Sequence, residues 1–93
     1  MLGCTTTRIT AAGAAVTGPL RLHWITIAPS AVTTVLDLSD GTVAGVTIWT
    51  WKDQSGDGVH INFGDRPMVF AKGIYVETLT DITAVTFGHT VET

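Results

Sequence analysis

Gly45-Val46-Thr47-Ile48-Trp49-Thr50-Trp51-Lys52 decides the reading of this chain. Successive residues of a strand point to opposite faces, so Val46 and Ile48 line one side while Trp49 and Trp51 line the other. One face can fill the core of a small antiparallel domain. The other is wet by default, yet here it carries two of the three tryptophans, and another surface is expected to cover it. The segment therefore predicts a small β-protein built to be assembled.

The rest of the chain fits one domain spanning residues 1–93, with residues 1–18 forming an N-terminal arm plus the first strand. A chain of 93 residues buries only about two-thirds of its unfolded surface, so association with other copies would add stability. It is 45% hydrophobic and 14% charged, too apolar for a disordered tail, and its Thr, Val and Ile favour strands. The net charge of −3 gives no basic stripe for phosphates, so nucleic acid is not an expected partner. Cys4 is alone, which excludes an internal disulfide and fits a reducing compartment. Leu2-Gly3-Cys4 resembles the end of a lipoprotein signal but lacks the basic and apolar stretch before it, so neither an anchor nor a secretory signal is expected. Leu22 to Leu36 is interrupted by His23 and Pro29 and is too short to span a bilayer. A soluble protein without membrane contact is the expectation.

Short apolar or alternating runs between turn signals predict an all-β fold, a compact antiparallel β-sandwich, jelly-roll-like or immunoglobulin-like, of about seven or eight strands. Thr5 to Thr10 is the first, and Ala11 to Gly18 follows as a small-residue segment with loops at Gly13 and Gly18-Pro19. Leu20 to Ile27 changes phase midway: Leu20, Leu22 and Trp24 share one face, Ile25 and Ile27 the other. Either a bulge re-phases this strand or both its faces are buried. Ala31 to Leu38 places Val32, Leu36 and Leu38 inward and Asp37 outward, and Ser39-Asp40-Gly41-Thr42 reads as a turn. Val59, Ile61 and Phe63 alternate with His60 and Asn62. Met68 to Ala71 and Ile74 to Leu79 are two strands or one kinked at Lys72-Gly73, and Ile82 to Phe87 closes the chain after a tight Thr80-Asp81 connection.

Sites for chemistry are sparse. Asp53-Gln54-Ser55-Gly56-Asp57-Gly58 copies the first half of a calcium loop, making Asp53, Ser55 and Asp57 the candidate cation ligands. The bidentate Glu of the second half is missing, with Gly64 at its place, and a solvated hairpin turn accounts for the same composition, so no metal and no cofactor are expected. His23, His60 and His89 lie on different strands without ligand spacing. No serine sits in a Gly-x-Ser-x-Gly elbow and the one thiol lies near the start, so no enzyme is expected. Trp24, Trp49, Trp51 and Tyr75 suit either core and subunit burial or a platform for stacking sugars.

Gly18-Pro19-Leu20-Arg21-Leu22, Ser39-Asp40-Gly41-Thr42, Val69-Phe70-Ala71-Lys72-Gly73-Ile74-Tyr75-Val76 and Ile82-Thr83-Ala84-Val85-Thr86-Phe87 together resemble small tailed-phage virion proteins of about this length, over most of the chain from residue 18 onward. The resemblance implies a compact β-sandwich that decorates or cements the phage head as a homotrimer bound to the major capsid protein, on the exterior of a virion assembled in the bacterial cytoplasm. It carries over no catalytic residue, and the Trp49/Trp51 pair and the acidic loop depart from its pattern. On this reading Trp24, Trp49, Trp51 and Tyr75 are the interface residues, and Trp51→Ala weakens assembly more than it perturbs the monomer. The alternative is a glycan- or receptor-binding module of a phage fibre, spike or tail component.

Overall fold

The strands pair as one long hairpin folded over on itself. The computed structural model describes residues 4–54 and 56–91, and among these it holds nine strands and no helix. They are β1 (Thr5–Ile9), β2 (Gly13–Thr17), β3 (Leu20–Pro29), β4 (Thr34–Asp40), β5 (Thr47–Asp53), β6 (Val59–Asn62), β7 (Met68–Phe70), β8 (Gly73–Thr80) and β9 (Ile82–Val91). β4 pairs with β5 at the tip, β3 with β6 and β7, β2 with β8, and β1 with β9, every pair antiparallel. Rolling this ribbon brings β9 against β3 and β8 against β4. Two sheets result: sheet A in the order β1-β9-β3-β6, with β7 also on β3, and sheet B in the order β2-β8-β4-β5. That nesting is a jelly roll. An immunoglobulin sandwich would keep the first two strands side by side in one sheet, and here they belong to different sheets.

Between the sheets lies a core of fully buried side chains: Leu20, Leu22, Ile25, Ile27, Phe70 and Phe87 from sheet A, with Leu36, Leu38, Ile74 and Val76 from sheet B. Each contributes about 1.5–3 kcal/mol of transfer free energy on burial. The phase change in β3 is resolved by a bulge. The register steps from Leu22↔His89 to Trp24↔Gly88, so His23 is an extra residue. One extra residue flips the alternation, and Leu20, Leu22, Ile25 and Ile27 all point inward.

β5 carries a similar irregularity, and its pairing decides which face of the deciding segment is core. Its register steps from Leu38↔Trp49 to Ser39↔Thr47, which makes Ile48 the extra residue. Trp49 and Trp51 stand beside Leu38 and Leu36, both fully buried, and therefore face the core. Val46 and Ile48 are the outward residues, 84% and 51% exposed. Alternation alone could not choose between the faces; the neighbouring strand does.

Smaller corrections have local causes. Gly13–Thr17 is a strand rather than a loop-bounded segment, held by β8 although its small side chains show no clear alternation. Val32 is exposed because β4 starts only at Thr34. Ser39 and Asp40 finish β4 rather than entering a turn. Of the two readings open for Met68 to Leu79, two strands is the one found, β7 in sheet A and β8 in sheet B. Asp81 alone joins β8 to β9, in the left-handed region at φ 54° that a non-glycine residue seldom adopts.

Asp40 explains how the chain crosses from β7 to β8. Its carboxylate accepts the amides of Ala71 (2.9 Å), Lys72 (2.8 Å) and Gly73 (3.2 Å). Gly73 is required there: at φ 142° its missing Cβ would lie 2.3 Å from the Val16 carbonyl oxygen. Burial pushes the carboxyl towards its neutral form, but the three amides and the Lys72 charge outweigh it and hold the Asp40 pKa below its ordinary value. Asp40→Ala is expected to lower unfolding stability by about 1–2 kcal/mol in urea titration at pH 7, because the turn amides lose a charged acceptor. Since the folded pKa is depressed, the contribution is present above the ordinary carboxylate value and lost as the pH falls below it.

Candidate functional site

The bulge at His23 has a second effect: it turns Trp24 onto the outer face of sheet A. Strand register fixes what surrounds it. Thr6, Gly88, Trp24 and Asn62 form one row across β1, β9, β3 and β6, and Arg8, Thr86, Thr26 and His60 form the next. The indole lies against Gly88, where a Cβ would stand 2.1 Å from its Cε2 atom. Only glycine leaves room. Trp24 is partly exposed, and the His60 ring sits beside it with centroids 5.3 Å apart at 38°. Threonine hydroxyls orient the two histidines of this face, Thr26 Oγ1 at 2.7 Å from His60 Nδ1 and Thr90 Oγ1 at 2.8 Å from His23 Nε2.

The four aromatic residues singled out from the sequence do not share a surface. Trp24 is on the outside of sheet A, while Tyr75 pairs with Ser39 and Ala14 on the outside of sheet B. Trp49 and Trp51 lie between the sheets, half-buried against the core, and Trp49 meets Phe63 edge-on at 6.3 Å between centroids. The two tryptophans thus help close the gap between the edge strands β5 and β6. Reasoning from sequence missed Arg8, Thr26, Asn62, Thr86 and Gly88, because nothing in their own segments signals a shared face. Only the phase change around His23 pointed there.

A different surface is apolar and open. Val43 is 72% exposed, close in sequence to Val46 and Ile48 at the tip of the roll. β5 ends sheet B, so its far backbone edge has no strand beside it among the described residues. The loop before it is nevertheless held: Glu77 accepts the Ser39 hydroxyl at 2.8 Å and the Gly45 amide.

At the opposite end of β4 and β5, Thr33, Thr34, Val35, Lys52, Asp53 and Gln54 line an open depression of about 440 Å³. Asp53 Oδ1 accepts the amide of the next residue, Gln54, at 2.8 Å. Of the candidate cation ligands, Ser55 lies outside the described residues. Among the described residues no three His, Cys, Asp or Glu side chains gather as a metal site.

Comparison with protein-family models, curated proteins and solved structures found no match. The functional reading therefore rests on the geometry and the sequence.

His89 differs from the other histidines in facing inward. It is 7% exposed and hydrogen-bonded to the Thr7 hydroxyl at 2.9 Å, a polar tie between β9 and the edge strand β1. Burial, helped by the nearby His23, holds its pKa below the ordinary histidine value. The unfolded chain therefore takes up a proton first, and stability is lost as the pH falls below about 6.5. The urea midpoint is expected to drop between pH 7 and pH 5, with a smaller drop in His89→Gln. Trp51→Ala is expected to cost about 2–3 kcal/mol of monomer stability, less than a fully buried aromatic truncation because the ring is only half-buried.

Proposed function

We propose that this chain is a structural subunit that docks into a larger particle through the tip of the roll. The observation that carries the reading is the conjunction of Val43, Val46 and Ile48, all exposed, with the free edge of β5. An uncovered edge strand is a template for pairing, and soluble proteins usually blunt one with charge, proline or a covering loop. From Thr47 to Trp51 this strand carries no charge, and its apolar bulge residue faces outward. A partner strand or apolar surface laid there would remove both liabilities.

The particle, on this proposal, is a tailed-phage head. The resemblance of the strand ends and turns to small virion proteins supports that assignment, and a jelly roll suits it because the fold serves as a rigid unit in many capsid domains. The chain decorates or cements the shell from outside, as a homotrimer bound to the major capsid protein. A threefold arrangement closes the contacts without running on into filaments. The inward orientation of Trp49 and Trp51 moves the proposed contact from the tryptophans to Val43, Val46 and Ile48.

Light scattering on the purified chain should give about three times its 9.8 kDa mass, and the protein should bind capsid shells assembled without it. Ile48→Lys and Val46→Glu should abolish both without altering the circular dichroism spectrum. A monomer at micromolar concentration that ignores such shells contradicts the proposal.

A further inference from the structure

We infer that the outer face of sheet A is a binding site for an acidic polysaccharide, with Trp24 as the stacking platform and Arg8 as the contact for the carboxylate. The inference stands apart from the docking surface at the tip, which belongs to sheet B.

Several observations converge on this ligand class. The Trp24 ring lies on Gly88 with His60 beside it and stays partly exposed, and the apolar C–H face of a pyranose suits such a ring. The positions around it are hydrogen-bonding rather than apolar: Thr6, Thr26, Thr86, Asn62 and His60 fill the two rows beside Trp24 and Arg8. Hydroxyls, an amide and an imidazole can each donate to or accept from sugar hydroxyls. A few polar groups around one apolar platform is the usual composition of a small-ligand site.

Charge selects the acidic sugar. The protein carries a net charge of −3, yet neither row contains a carboxylate. The described acidic residues all lie on sheet B or in the connections between strands. Arg8 is exposed on β1, two strands across and one row along from Trp24 on β3, or roughly 12 Å. That separation exceeds one sugar unit, so a polymer with one pyranose on Trp24 brings the carboxylate of a uronate further along its chain to Arg8. A nucleic acid strand fits less well, since it asks for a groove of positive charge along its backbone and this face offers no such run.

The test is a titration of the intact chain with polygalacturonate, with dextran as the neutral polymer and oligo-dT as the polyphosphate. Binding to polygalacturonate alone, falling as salt is raised, is expected. Trp24→Ala should weaken it about tenfold and Arg8→Gln several-fold, while Ile48→Lys leaves it unchanged. Arg8 is exposed, so its variant keeps the fold and remains informative even where Trp24→Ala does not fold. No binding, equal binding of polygalacturonate and dextran, tighter binding of oligo-dT, or an Arg8→Gln protein that binds like the wild type would each overturn the inference.

Discussion

The pairing of β3 with β9, re-phased in its first half by the extra residue His23, is the constraint on which the rest of the structure depends. β3 must bury Leu20 and Leu22 at one end and Ile25 and Ile27 at the other, and an unbroken strand cannot send both pairs to one face. The bulge reconciles them. It also fixes everything on the opposite side, because the residue that follows it is Trp24, thrown outward onto a position of β9 that only glycine can occupy. Core packing and the candidate sugar-binding face are thus two consequences of one irregularity.

Another irregularity lies at Ile48, at the edge of sheet B. Pairing with Leu36 and Leu38 turns Trp51 and Trp49 to the core while Ile48 stays outside, so one strand both seals the sandwich and offers an apolar edge. Large rings are suited to that sealing, since the edge strands β5 and β6 do not pair with each other and the space between them needs bulky filling. The docking surface proposed at the tip is then what remains once the tryptophans are used inside.

How much of this was legible in the sequence depended on the distance over which the deciding contact acts. The all-β class and most strands followed from local alternation and turn chemistry, and Leu20, Leu22, Ile25 and Ile27 announced the phase change in β3 by their own spacing. The orientation of Trp49 and Trp51 was not legible, because both faces of that segment are apolar and the choice is made by Leu36 and Leu38 across the sheet. β2 escaped notice for a different reason: Gly13 to Thr17 is too small-featured to show a period, and its strand character comes from β8. Gly88 beneath Trp24 is the extreme case. Its role exists only once two segments far apart in sequence are laid side by side.

The most direct test of the account is the proton spectrum of Gly88. An indole lying on this residue should shift its α-protons strongly upfield through the ring current and give cross-relaxation between them and the Trp24 ring. Ordinary glycine shifts, with the Trp24 ring instead in contact with Leu22 or Phe87 inside the sandwich, would contradict the bulge at His23 and with it the outward face built on Trp24.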